Sequence, residues 1–320
     1  MIPRRVMIAS IVAIVSLLTA AAVGALAFIA ARLAFRVPVR AWVVTAIALD
    51  ALLIYAIFER RAPVWGRIVS RGRPRTPAIA ITFDDGPTEP YTSQILDVLR
   101  AFGARATFFV LGARAQAAPD VVRRAAHDGH EIGNHTWDHA ALPLRTPSAM
   151  RETICRTSDL VQQITGRRPR VFRAPFGWRN PWLDGAARRE GCEPIAWTVG
   201  VYDTDRPGVD AIVDRAIEGF VDGSILLLHD GRSLDPEPDA SQVVEALPRI
   251  VGEARRRGFR LLTISELLAE SRSRPAVRAG FSRPAASLVR RPVRRSAKRE
   301  VGSSQSEGGL VRRSSQSEGG

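Results

Sequence analysis

The chain has 320 residues, 46% of them hydrophobic, enough to bury one large core or two ordinary ones. Its formal charge is +14, but residues 1–75 carry a net +9, residues 271–320 another +9, and residues 76–270 the remaining −4. A nucleic-acid-binding core shows a basic face studded with aromatics, so no nucleic-acid partner is expected of this acidic centre. Basic flanks beside apolar segments fit an anionic membrane surface, which makes membrane lipid an expected partner.

Met7 to Ala31 is an uncharged run long enough to span a bilayer, with Arg4 and Arg5 before it and Arg32 after it. It exceeds the roughly 7–15 apolar residues of a cleaved signal. A second apolar run, Ala41 to Phe58, is broken by Asp50. An acid at mid-membrane is costly, so a re-entrant or amphipathic segment is the alternative there. Together the runs read as a helical hairpin turning over Arg32 to Arg40, a membrane anchor over residues 1–60. Arg60, Arg61, Arg67, Arg71, Arg73 and Arg75 follow the second run, against Arg32, Arg36 and Arg40 in the turn. For two spans this places the following domain on the cytoplasmic side. A single span would place it outside, so sidedness stays open. The expected location is the cytoplasmic membrane of a bacterium.

Residues 61–77 form a basic linker ending in Arg71 to Pro77 (RGRPRTP). A globular region over 78–270 then alternates short strand-like runs with amphipathic helices. The predicted strands are Ala78–Phe83, Ala106–Val110, Glu131–Asn134, Val171–Arg173, Pro194–Thr198, Ser224–Leu228 and Phe259–Thr263. Helices are predicted over Tyr91–Phe102, Pro119–Asp128, Pro147–Thr165 and Gln242–Arg257. The alternation predicts an α/β fold with mainly parallel strands, as an open sheet or a barrel. Residues 271–320 lack apolar periodicity, repeat SSQSEGG, and read as a basic, disordered tail. Cys155 and Cys192 have no metal-site spacing and read as two unremarkable thiols, with a disulfide as the alternative.

The run IAITFDDGP ends in adjacent acids, Asp84 and Asp85, at a predicted strand end, where α/β folds gather functional side chains. Two acids this close resist joint ionisation unless a cation sits between them. A turn at Gly86-Pro87 is expected to bring both to one site. In HEIGNHTWDH, His135 and His139 stand four apart, the spacing of one face of a helical turn. Two imidazoles and a carboxylate make a three-ligand set with open positions for water, suited to zinc and its divalent neighbours. His127 and His130 flank Gly129 at a predicted helix exit, where a His meets the last carbonyls. Arg173, in RAPFG, is placed to pair bidentately with one of the acids. His229 ends the apolar strand ILLLH and could supply a proton; Asp203, in WTVGVYDTD, is placed to orient it.

These blocks, in this order, resemble the polysaccharide deacetylases of carbohydrate esterase family 4, over about Ala78 to Ala269. That family includes chitin, chitooligosaccharide and peptidoglycan N-deacetylases. The resemblance implies a distorted barrel of about seven strands and helices, and a divalent metal, usually zinc, sometimes cobalt or another ion. It implies metal ligation by Asp85, His135 and His139, with Asp84 as general base and Arg173 holding it. His229 would be the general acid, tuned by Asp203. Phe176, Trp197 and Leu228 are expected to touch substrate, with the Phe176 backbone N–H as an oxyanion donor. The implied reaction is removal of N-acetyl groups from N-acetylglucosamine residues of peptidoglycan or a chitin-like glycan. Deacylation of a lipid-linked sugar at the membrane face is the alternative, and a sugar- or metal-binding pseudo-enzyme a further one. One departure is visible: Thr204 stands where the family often has Trp, which bears on one wall of the sugar pocket.

Overall fold

The computed structural model describes residues 4–32, 37–66, 68–233, 235 and 238–272. The predicted tail beyond residue 272 lies outside the described residues, as do residues 33–36 of the predicted hairpin turn. Two long apolar helices come first, α1 (Arg4–Arg32) and α2 (Val39–Phe58). Both are long and apolar enough to cross a membrane. They pack on each other, and Ser16 Oγ donates to Asp50 Oδ2 at 2.8 Å. A hydrogen-bonded partner on the neighbouring helix lowers the cost of an acid in an apolar run.

The domain that follows alternates strand and helix: β1 (Ala78–Asp84), α3 (Tyr91–Ala101), β2 (Thr107–Val110), α4 (Gly112–Ala117), α5 (Pro119–His127), β3 (Glu131–Asn134), α6 (Pro147–Thr165) and β4 (Val171–Phe172). It continues through α7 (Leu183–Arg189), β5 (Glu193–Pro194), β6 (Val199–Gly200), α8 (Val209–Glu218), β7 (Ile225–His229), α9 (Ser241–Arg256), β8 (Arg260–Leu261) and α10 (Ile264–Arg272). The strands lie in the order β5-β4-β3-β2-β1-β7-β6, with β8 on the start of β1, and every pairing is parallel. This is the curled, helix-wrapped half-barrel of a (β/α) fold.

One predicted strand divides. Pro194–Thr198 is not a single strand of one ladder: Ile195 N–H donates to Phe172 O at 2.8 Å, and Thr198 N–H donates to Ile225 O at 2.9 Å. The run begins against β4 and ends against β7, so it spans the gap between the two sheet edges. Val69 makes a bridge to Ile195 and Arg71 one to Ser224, so the segment before β1 also crosses that gap.

Strand alternation sorts the core. Ile79, Ile81 and Phe83 of β1 face the helices, with Leu226 and Leu228 of β7 beside them. Ala78 and Ala80 face the barrel interior with Ile225, Phe109 and Val171. Continuing the same alternation, Thr82, Asp84 and His229 point inward at the carboxyl ends of their strands.

Candidate active site

Asp84 and His229 are register partners in the adjacent parallel strands β1 and β7. Neighbouring strands run about 4.8 Å apart, so the two functional groups start from one place on one face. Arg173, immediately after β4, lies 1% exposed under them. Its Nη1 donates to Asp84 Oδ1 and to Thr82 Oγ1, each at 2.7 Å. The guanidinium also stacks 4.1 Å over the Phe109 ring. The pairing is through one nitrogen and not the predicted bidentate fork: Nη1 is shared between Asp84 and Thr82, Nη2 donates to Ala196 O, and Nε has no hydrogen-bond partner.

Asp85 turns away from the strand by its own backbone. Its φ of 76° lies in the left-handed region, which a non-glycine residue occupies at a cost. The bend therefore begins one residue before the predicted Gly86-Pro87 turn. Gly86 is fixed by space: a Cβ there would sit 1.9 Å from Asp230 Oδ2. Ser233 N–H donates to Asp85 Oδ2 at 3.1 Å, leaving Oδ1 buried with no hydrogen-bond partner. That orphan oxygen lies 3.3 Å from His135 Nε2 and 3.2 Å from His139 Nε2.

The two histidines meet by a route the spacing did not predict. No helix carries them: β3 ends at Asn134, and residues 135–139 form a loop. Thr136 (φ 73°) and His139 (φ 53°) are left-handed and fold the loop back on itself. Asn134 holds the turn, its Oδ1 accepting from Thr136 N–H and its Nδ2 donating to Ile154 O and Ser158 Oγ. His135 Nδ1 lies 2.8 Å from the Arg173 carbonyl, so Nδ1 carries the proton and Nε2 presents its lone pair.

Three ligand atoms from Asp85, His135 and His139 lie within 4.8 Å of one another, all buried. A carboxylate oxygen with no donor, facing two imidazole nitrogens, is the donor set of a divalent cation. The residues therefore fit the metal that the sequence implies. Two of the three groups carry the charge state of a metal ligand, while at His135 burial is outweighed by Asp84 and Asp85, which raise its pKa. Burial works against ionised Asp85, but His139, His135 and His229 outweigh it and hold the carboxyl far below its ordinary range. Burial lowers His139 to about 4, opposed only in part by Asp85, so that ring is neutral.

Across the site, Asp203 Oδ1 lies 2.9 Å from His229 Nδ1 and Oδ2 accepts the His229 backbone N–H at 2.8 Å. Burial alone would lower this imidazole; Asp203 first, then Asp85 and Asp84, reverse the effect and lift it to about 10. Phe176, left-handed at φ 59°, sets its ring edge-on to His139 with centroids 4.5 Å apart. Trp197 packs beneath Gly177, where a Cβ would meet its ring at 2.8 Å. Thr204 lines a small cavity with Asp203 and His229.

Some expectations are corrected. Leu228 is fully buried in the core among the helix-facing residues and does not touch the site, because strand alternation sends it opposite to His229. His130 does not cap carbonyls; its Nδ1 accepts from Ala106 N–H at 3.1 Å, and burial lowers it to about 4. His127 is exposed. Cys155 and Cys192 are free thiols, and burial pushes Cys192 up to about 11. A groove of about 740 Å³ lies beside Trp137, lined by Gln116, Arg151, Cys155 and Arg156, and contains none of the predicted site residues.

The sequence reading missed Asp230. It is buried, accepts from Thr92 Oγ1 at 2.7 Å, and burial raises it to about 7. Thr92 Oγ1 in turn accepts Thr88 N–H at 2.7 Å, and Asp230 N–H donates to Asp84 O at 3.2 Å. One loop thus carries His229 and braces the Asp85 turn. The only signal was an acid next to a strand-end His.

Fold and site together define a curled (β/α) half-barrel with a candidate Asp-His-His metal site flanked by an Arg-held carboxylate and an Asp-held imidazole. The polysaccharide deacetylase family profile matches residues 71–195. A peptidoglycan-N-acetylglucosamine deacetylase of Bacillus cereus is 38% identical over 192 residues, covering 59% of this chain and 87% of that protein. A chitooligosaccharide deacetylase of Sinorhizobium fredii is 37% identical over 200 residues, covering 60% and 93%. The Bc1960 peptidoglycan N-acetylglucosamine deacetylase structure is 29% identical, with a TM-score of 0.60 over 65% of this chain and 95% of that one. A mutant of a carbohydrate esterase family 4 pseudoenzyme, with restored enzymatic activity, also aligns, 26% identical at TM-score 0.58 over 63% of this chain and 71% of that one. The chain belongs to the polysaccharide deacetylase family, hydrolases of carbon–nitrogen bonds in linear amides.

Proposed function

We propose that this protein removes the acetyl group from N-acetylglucosamine residues of a glycan of the peptidoglycan or chitin type. The observation that carries the reading is the division of labour between two adjacent acids. Arg173 occupies Asp84 Oδ1, while Asp85 Oδ1 is left bare toward His135 and His139. Asp85, His135 and His139 would hold the divalent ion, zinc by its donor set, with cobalt or another ion able to substitute. When bound, such an ion polarises the amide carbonyl and acidifies a water.

The remaining chemistry belongs to the side chains. Arg173 holds Asp84 in place through its hydrogen bond to Oδ1, and Asp84 takes the proton of the attacking water. The Phe176 backbone N–H, in the loop at His139, is the candidate donor to the oxyanion. The bond from carbonyl carbon to nitrogen breaks as His229 protonates the departing amine. Asp203 keeps His229 charged and aimed until then. Acetate and the free amino sugar leave.

The test is acetate release from N-acetylated chitooligosaccharide by the purified, zinc-loaded protein, with Asp84→Asn as control. Retained turnover in that variant would sink the assignment of the base. Metal binding with no turnover in the native chain would instead favour a pseudo-enzyme, a reading that the presence of every acid, base and ligand opposes.

A further inference from the structure

We infer that the sugar this enzyme works on is carried by a membrane lipid, so that the amide is cut at the bilayer surface. The inference rests on the N-deacetylase reading above and moves its substrate from the finished polymer to a lipid-linked N-acetylglucosamine. It starts from what the two leading helices expose. Leu17, Leu18, Phe28, Val44 and Ile47 are all more than half exposed, and only a narrow seam between the helices is buried. A patch of that extent is a membrane-facing surface. At 1.5 Å per residue the 20 residues of α2 rise about 30 Å, the thickness of a hydrocarbon core. None of α2 is left over as a stalk, so Phe58 sits at the membrane boundary.

The pair does not hold the domain on a loose tether. Ile57 and Phe58 of α2, with Met7, Ile8, Ile11 and Val15 of α1, form one apolar cluster with Ala141, Phe176 and Trp178 of the domain. Phe58 meets Trp178 edge-on at 5.1 Å, Trp178 meets Phe176 at 4.5 Å, and Phe176 meets the metal-ligand candidate His139 at 4.5 Å. Three ring contacts therefore join the end of the spanning helix to the metal pocket. Polar bonds fix the angle. Arg179, fully buried and paired with Asp184, donates its backbone N–H to Ile57 O at 3.0 Å and its guanidinium to Ala62 O and Gly66 O. Arg61 donates to Trp197 O and Thr198 O, and Arg60 lies 4.8 Å over the Trp197 ring.

One wall of the site, Phe176 beside His139, is thus built against the layer where α2 leaves the bilayer. Arg60 and Arg61 lie there too, on the side of Trp197, and suit the phosphate of a lipid carrier. Tethering in the membrane raises the effective concentration of the sugar at a site fixed in the same plane. A long polymer would have to bend into the headgroup layer to reach it.

The test uses the full chain, zinc-loaded, in lipid nanodiscs. One substrate is N-acetylglucosamine linked by pyrophosphate to a polyprenyl lipid in the same bilayer; the other is a water-soluble, fully N-acetylated chitotetraose. Acetate release is expected to show kcat/KM at least about tenfold higher on the lipid-borne sugar. Phe58→Ala should erode that preference while leaving the soluble rate unchanged. Equal rates, a preference for the soluble substrate, or an equal loss on both substrates in Phe58→Ala overturns membrane presentation and leaves the N-deacetylase reading standing. No acetate from either substrate overturns both.

Discussion

Asp203 grips His229 at two points: Oδ2 accepts the backbone N–H at 2.8 Å and Oδ1 faces Nδ1 at 2.9 Å. The first bond fixes the end of β7 and the second fixes the ring, leaving Nε2 to carry the proton toward the site. Burial alone would discharge this ring, yet Asp203, Asp85 and Asp84 hold it charged to about pH 10.

A variant that keeps the shape and removes the charge isolates that effect. In Asp203→Asn the pKa of His229 falls. A general acid works only below its pKa, so the alkaline limb of the kcat profile should move to lower pH. Acetate release measured from neutral to alkaline pH reads it directly. An unmoved limb would assign the acid to another group.

Asp84 and Asp85 should separate by readout. Asp84→Asn should retain metal by elemental analysis while kcat drops by about 10²–10⁴, the usual contribution of a positioned base. His135→Ala should lose the metal itself, and EDTA treatment of the native protein should mimic it, with activity restored on adding zinc back.

Arg173 is the only guanidinium hydrogen-bonded to Asp84 among the described residues, and both are buried. Arg173→Met leaves a buried carboxylate without its counter-charge. Breaking such a pair from one side costs about 3–5 kcal/mol, to be seen as a lower melting temperature by calorimetry. The double variant Arg173→Met, Asp84→Leu should recover much of that loss without recovering activity, since the uncompensated charge is gone.

His130 is buried against Ala106 N–H and Phe108, and its pKa is lowered to about 4. The unfolded chain binds a proton near pH 6.5, the folded one only near 4. Stability from this residue is therefore complete above about pH 6.5 and falls as pH drops toward 4, by up to about 3 kcal/mol. Denaturation curves at neutral and mildly acidic pH should show a smaller acid loss in His130→Gln, which keeps an acceptor for Ala106 N–H.

How these residues act was legible to different depths. Asp84, Asp85, His135 and His139 stand out in the sequence because acids at a strand end and paired imidazoles are rare and chemically explicit. The reason offered for the histidine pair was nonetheless wrong. The i, i+4 spacing suggested a helix, whereas left-handed Thr136 and His139 close a loop. Asp230 stayed invisible because its part depends on Gly86 and Thr92, which are remote in sequence and adjacent only in space.

By itself the sequence determined the α/β class, the order of the strands along the chain and the identity of the chemical groups. These follow from local periodicity and residue type, which neighbours along the chain suffice to specify. The tertiary structure alone decided that Pro194–Thr198 bridges two sheet edges, that Leu228 faces away from His229, and that Phe58 reaches His139 through Trp178 and Phe176. Each is a relation between segments far apart in the chain, settled by packing and register and not by any local preference.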